Sequence, residues 1–321
     1  MVSFRLVKSS ARKLLSSIGW EIARKAPPTQ GLVPTKAMGP LPVDTAALYA
    51  LVLEYKNHPL DSMAGYIWRQ SERRPDRLKD IDFAGFRSDN AFIWQTRGAP
   101  LSTFVVSALW AQSQDHHSLL KQINEDGDFG AECIKLDGRL WSRDLIDSVL
   151  EINFLMETLI DFRQLNVIVD IGAGYGRLLR RFAETTTGIS LVGTDGLALS
   201  TAICRGYMKY LGLEDQVSTL SLTEVDKFDH QISLATNVHS FSEMSIKAVE
   251  WWLSWLKDHK TQYLFIVPNK PGPSLNDGTS LLPLLQSYGF ALIRHRRKYD
   301  DPLVDEISLY PGDYYLYGQS H

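Results

Sequence analysis

From Ser142 onward, short apolar runs alternate with segments whose apolar residues recur at helical spacing. That alternation constrains the fold more than any single residue does. "SRDLIDSVLEINFLMETLIDF" reads as an amphipathic helix whose start is marked by Ser142 and Asp144, side chains that suit a first turn. "NVIVDIGA" then reads as a buried strand and "GRLLRRFAETT" as a helix. "SLVGTDG", "QVSTLSL", "HQISLATNV" and "QYLFIVPN" are further strands, and "LSTAICRGYMKYLG" and "MSIKAVEWWLSWLKDH" are further helices. "SLLPLLQSYG" is the last helix; "FALIRHRRKY" and "DYYLYGQ" close the chain as two strands with a turn-rich, helix-free connection. Such alternation predicts an α/β fold, an open, doubly wound, Rossmann-like parallel sheet with helices on both faces and an antiparallel closing strand.

The remainder of the chain is of a different character. "MVSFRLVKSSARKLLSSIGWEIARK" carries Phe4, Val7, Ala11, Leu14, Leu15 and Ile18 at helical spacing, with Arg5, Lys8, Arg12 and Lys13 between them. This basic amphipathic helix, residues 3–25, can pack on its own domain, lie on an anionic membrane surface at the inner face, or dock on a partner. "APPTQGLVPTKAMGPLPVD" is too rich in Pro and Gly to be regular and reads as a linker. Residues 45 to 118 are mostly helical in pattern. A formal net charge of −3 argues against a dedicated nucleic-acid binder, which needs a basic excess. The two cysteines, Cys133 and Cys204, have no metal or redox spacing and fit a reducing cytoplasm. No apolar run is long enough to span a membrane, and the N-terminus is not built as a secretory signal.

The chemistry concentrates at "VIVDIGAGYGR", Val167 to Arg177. In a doubly wound sheet, ligands bind beyond the carboxyl ends of the strands where the strand order reverses, and this glycine loop falls there. Gly172, Gly174 and Gly176 allow a sharp turn and a close backbone approach to a ligand, with Ala173 between them. A dinucleotide fingerprint requires glycine at position 177, where this chain has Arg177. Asp170 would repel a pyrophosphate but favour an ammonium group. Asp195, followed by Gly196 at the end of the next strand, can accept hydrogen bonds from two ribose hydroxyls. Adenosine with an amino-acid tail and no phosphate meets all three conditions. That ligand is S-adenosylmethionine, with S-adenosylhomocysteine as its product; a NAD enzyme is the alternative.

"DIGAGYGR" is similar to the first motif of the class I methyltransferases. "NEDGDFGAECIKLDGRLWSRDLIDSVLEINFL", "TNVHSFSEM" and "YDDPLVDEISLYPGDYYLYG" resemble a bacterial family of sugar O-methyltransferases, over residues 89 to 321. The resemblance implies the strand order 3-2-1-4-5-7-6 and a sugar or glycan hydroxyl as acceptor, in a setting of polysaccharide biosynthesis. It departs at His239, where the family favours an aromatic residue, so no family role carries over to that position. Three units follow: residues 1–43 as helix and linker, 44–141 as a helical acceptor-side region, and 142–321 as the methyltransferase domain. Acceptors outside the sugars, or a non-catalytic cofactor-binding subunit of a glycan-assembly complex, are the competing functions.

Methyl transfer to a hydroxyl needs in-line alignment and a group to take the proton. His239 and Glu243 in "NVHSFSEM" have the right address for a general base; a loop histidine bonded to a carbonyl and a helix-start acid are their ordinary alternatives. Asn237 can position the methionine tail or the sugar. Arg143 can reach the methionine carboxylate or an anionic acceptor, although surface pairing is the commoner fate of an arginine. Glu125, Asp126 and Asp128 in "EDGDFG" read as an acceptor-binding lid or as solvated turn acids. The strip Arg294, His295, Arg296 and Arg297 suits phosphate or carboxylate on an acidic or lipid-linked glycan, or else guards a strand edge. Trp251, Trp252 and Trp255 read as packing on the sheet, and Trp68, Trp94 and Trp110 as core residues or sugar-stacking platforms. No spacing demands a metal.

Overall fold

The structure is a computed structural model that describes residues 30–33, 39–59, 83–88 and 99–319. The basic N-terminal helix, much of the Pro/Gly segment, Trp68 and Trp94 lie outside the described residues. Ten strands are formed among them: β1 Gln30–Val33, β2 Cys133–Leu136, β3 Arg139–Ser142, β4 Val167–Ile171, β5 Ser190–Thr194, β6 Val217–Leu220, β7 Leu234–Val238, β8 Tyr263–Val267, β9 Phe290–Arg297 and β10 Asp313–Gln319. The α-helices are α1 Thr45–Asn57, α2 Leu101–Ser113, α3 Arg143–Thr158, α4 Arg177–Thr185, α5 Ala198–Tyr210, α6 Leu222–Val225, α7 Ser240–Glu243, α8 Ile246–Asp258, α9 Leu282–Ser287 and α10 Pro302–Ile307.

Seven strands form one sheet in the order β6-β5-β4-β7-β8-β10-β9. Numbered from β4, this is the expected 3-2-1-4-5-7-6. The first five are parallel, and β10 runs antiparallel to both β8 and β9. The order reverses between β4 and β7, which opens a crevice at their carboxyl ends. Strand residues alternate between the two faces: Ile168, Leu234 and Phe265 join one core, and Val169, Ala235 and Leu264 join the other. The central strands β4, β7 and β8 are therefore covered on both faces. Trp252 and Trp255 are buried in the second core, as expected of a packing face.

Three features depart from the sequence reading. The segment before α3 is not purely helical, because β2 and β3 form a hairpin through Asp137 (φ 50°) and Gly138 (φ 80°). Positive φ at both turn residues is what an Asp-Gly hairpin turn requires. Within the Pro/Gly segment, β1 pairs antiparallel with β2 and so is regular. The connection between the last two strands contains α10, whose first turn is capped by Asp301 accepting from Leu303 N (2.8 Å) and Val304 N (3.2 Å), with Pro302 at its start.

Helix α3 supplies Arg143, Asp147 and Glu151 to the cavity lining. Ser142 ends β3 and caps α3, its hydroxyl accepting from Leu145 N at 3.0 Å. The helix was expected to be amphipathic, yet Arg143 through Met156 are all buried. One side packs on the sheet, and α2 covers another. Its charged residues therefore need partners inside the protein.

Candidate active site

A cavity of about 490 Å³ opens at the carboxyl ends of β4, β5 and β7, a size that suits a small-molecule ligand. The glycine loop forms one wall. Gly172, Gly174 and Gly176 have φ of 78°, 57° and 86°, values that side chains rarely tolerate. The expected reason for the bare backbone, approach of a ligand, applies only in part. A Cβ at Gly172 would stand 2.1 Å from Ser240 Oγ, and one at Gly176 would stand 2.7 Å from Met208 Cε. Gly172, Ala173 and Gly174 line the cavity, whereas Gly176 packs against α5 and does not. Gly196 lines the cavity as well, with open space where its Cβ would be.

Two carboxylates face each other across this loop. Asp170, only 4% exposed, accepts from Thr236 Oγ1 at 2.6 Å, and burial pushes it up to about 6. Asp195 accepts from Gly174 N (2.9 Å) and Leu197 N (2.8 Å), and burial likewise pushes it up to about 6. Burial makes ionising either one less favourable than in water, and a cation or a further donor would offset that cost.

The opposite wall is built on α3. Arg143, Asp147 and Glu151 fall at intervals of four, so one helix face presents all three to the cavity. Arg143 Nε lies 3.1 Å from Asp147, and Lys298 Nζ donates to the other oxygen of the same carboxylate. Arg177 grips Glu151 with two nitrogens at 2.8 and 3.0 Å. Burial opposes the charge of Asp147, yet Lys298 and Arg143 hold it down at about 2. The Arg143 guanidinium also lies 3.8 Å over the Tyr310 ring. Arg143 is thus a buried cavity residue, not a surface ion pair. Asp147, Glu151, Lys298 and Tyr310 were not anticipated; the four-residue charge spacing on α3 was the available signal for the first two.

At the end of β7, His239 has φ 69°, a strained value for a side-chain-bearing residue. Its ring lines the cavity, and its Nδ1 is buried without a hydrogen-bond partner among the described residues. Burial, aided by Arg143, pushes the imidazole down to about 3, so it stays neutral across the physiological range. Glu243 lines the same wall and accepts from Asn269 Nδ2 at 3.0 Å.

Other anticipated residues serve the scaffold. Asn237 does not reach the cavity: its amide donates to Ile171 O (2.8 Å) and Ser240 Oγ (2.6 Å) and accepts from Phe241 N (2.8 Å). With its amide so engaged, it clips β4 to α7 outside the cavity lining. Glu125, expected on a lid, is buried and bonded to Arg87 at 2.9 and 3.0 Å; Asp126 pairs with Arg87 and Arg180, both at 2.8 Å. The strip on β9 is also committed, with Arg296 on Glu157 (2.6 Å), His295 on Asp313 (2.8 Å) and Arg297 on Asp305 (2.5 Å). Trp110 is buried, its Nε1 donating to Lys298 O at 3.3 Å. Among the described residues, no helix is long and apolar enough to cross a membrane.

No protein-family model and no curated protein matches the chain. Solved structures with a similar fold include M. capricolum TrmK in complex with S-adenosylhomocysteine, at 16% identity and a TM-score of 0.35 over 48% of this chain and 62% of that one. This chain thus spans less than two thirds of the length of TrmK. StiE O-MT residues 961–1257 match at 13% identity and a TM-score of 0.43, over 55% of this chain and 76% of that one. Geranyl diphosphate methyltransferase in complex with SAM matches at 12% identity and 0.43, over 55% and 86%.

Proposed function

We propose that this protein is an S-adenosylmethionine-dependent methyltransferase acting on a hydroxyl of a sugar or glycan. The observation that carries the cofactor is the pair Asp170 and Asp195, buried at the ends of adjacent strands on either side of a glycine loop, in a cavity large enough for the ligand. The donor set fits the cofactor: Asp195 could take ribose hydroxyls, Asp170 could meet the ammonium group, and Arg143 could pair with the methionine carboxylate. When bound, S-adenosylmethionine supplies an electrophilic methyl group and leaves as the neutral sulfide S-adenosylhomocysteine.

The protein's own work is alignment and proton handling. Cavity residues would hold the acceptor oxygen in line with the methyl group and take up the hydroxyl proton as it is lost. His239 and Glu243 share the wall available to that base. An imidazole pushed down to about 3 is a weak base, so His239 is suited to accepting a hydrogen bond from the hydroxyl and orienting it. Glu243 is then the better candidate to receive the proton. The sugar acceptor rests on the family resemblance of "NEDGDFG", "TNVHSFSEM" and the closing segment, not on the cavity.

Calorimetric titration with S-adenosylmethionine and, separately, NADH tests the cofactor. Micromolar binding of the former alone is expected; binding of NADH alone overturns the proposal. An acceptor screen with sugar nucleotides, short glycans and non-sugar alcohols then tests the substrate, with Glu243→Gln expected to lower turnover more than His239→Ala.

A further inference from the structure

We infer that Tyr55, on helix α1 far outside the strand–helix repeat, is a positioning residue for the ribose-binding carboxylate Asp195. The inference rests on the cofactor reading above and deepens it. Tyr55 is 1% exposed, and its hydroxyl donates to the main-chain oxygen of Asp195 at 3.2 Å. The same hydroxyl lies 2.7 Å from Thr201 Oγ1, in the first turn of α5, which is free to donate into it. Thr201 to Tyr55 to Asp195 is therefore one continuous chain of hydrogen bonds in a buried setting, where each bond counts for more than at the surface.

Asp195 is consequently held twice. Its carboxylate is fixed on the cavity side by the N–H groups of Gly174 and Leu197, and its carbonyl is fixed from behind by Tyr55. A ribose-binding carboxylate works only if it points the right way before the ligand arrives. The neighbours of Tyr55 act on the adjoining loop. Glu54 accepts from Thr223 Oγ1 at 2.6 Å, beside Leu222 of the cavity wall, and His58 lies 2.9 Å from Asp226. Leu48, Leu51 and Tyr55 share a core with Val192 of β5 and Ala198 of α5, so truncating Leu48 tests a loss of packing apart from the loss of the hydroxyl. Side chains of α1 and of His58 just beyond it thus hold the segments that follow β5 and β6.

Replacing Tyr55 by Phe keeps the ring and removes only the hydroxyl. Titration of the full-length protein with S-adenosylmethionine is expected to show a roughly three- to tenfold weaker Kd, the range for one net buried hydrogen bond. Leu48→Ala, a core truncation in the same helix, is expected to lower Tm by at least as much while leaving Kd unchanged well below Tm. If Tyr55 acts through Asp195, Tyr55→Phe adds no further loss in an Asp195→Asn background. An unchanged Kd for Tyr55→Phe, or equal weakening by Leu48→Ala, overturns the inference while leaving the cofactor reading intact. Wild-type protein that binds no S-adenosylmethionine overturns both.

Discussion

Two neighbouring residues of α3 lead to two buried charge clusters with opposite characters. Asp144 points away from the cavity, where it meets Arg87 at 2.7 Å, Arg181 at 3.5 Å and the Tyr175 hydroxyl at 2.7 Å, alongside Glu125. Arg143 points into the cavity and joins Asp147 and Lys298. Both clusters use the same residue types at similar depth. In the sealed one the Arg87, Arg181 and Glu125 side chains are wholly inaccessible, and the cluster ties residues 87 and 125 to α3 and α4. The second forms a wall of the cavity, where a ligand can meet it. Burial of charge is therefore no guide to function by itself; access to a cavity separates the two.

The sharpest break between them is Asp144→Ala. It strips a shared partner from Arg87 and Arg181 and is expected to cost about 3–5 kcal/mol in urea denaturation, with cofactor Kd unchanged in the folded protein. Equal damage to binding and stability would erase the distinction drawn here.

Second in size is Asp170→Asn, whose sign is opposite. Burial raises the folded-state value of Asp170 from an ordinary 3.8 to about 6, so its contribution to stability is complete below pH 4 and is lost as pH rises through 6. The substitution is expected to stabilise the protein by on the order of 2–3 kcal/mol at pH 8, with no gain at pH 4, while abolishing micromolar cofactor binding. Depressed carboxylates of the sealed cluster behave the other way. Burial works against Asp126, but Arg87 and Arg180 hold it at about 2, and its stabilisation is lost as pH falls below the ordinary 3.8 toward that value. Thermal melts across pH 2 to 8 of wild type and Asp170→Asn would show both trends.

The smallest expected effect is that of Arg143→Gln. Asp147 retains Lys298, so the stability loss should stay within about 1–2 kcal/mol, while cofactor Kd weakens about tenfold. A calorimetric Kd unchanged in this variant would assign Arg143 to the acceptor instead.

The same contrast explains what could be read from the sequence. The strand order, the glycine loop, Asp170 and Asp195 were legible because they follow from local periodicity and from the ends of consecutive strands. Ser142 as the start of α3 was legible for the same reason. Lys298 was not: its approach to Asp147 depends on β10 inserting between β8 and β9 and on the loop at Tyr310, pairings made across 151 residues of chain. Asn237 and Glu125 show the converse. Each was correctly placed near a strand end or loop, but whether a polar group faces a ligand or a neighbour depends on partners remote in sequence. The Asp137-Gly138 pair is a hairpin signal in the sequence, masked by the mostly helical pattern around it. Ser240 filling the space above Gly172 had no sequence signal at all.

The grip of α1 also sets an order of events during synthesis. Tyr55 emerges from the ribosome 140 residues before Asp195, and Glu54 emerges 169 before Thr223. Helix α1 must therefore wait, its apolar face uncovered, until β5, α5 and β6 have been made. Contacts of such long sequence separation close slowly, because the entropy of the intervening loop is lost before the contact is gained. The segments that follow β5 and β6 should thus be among the last parts of the molecule to acquire their native rigidity.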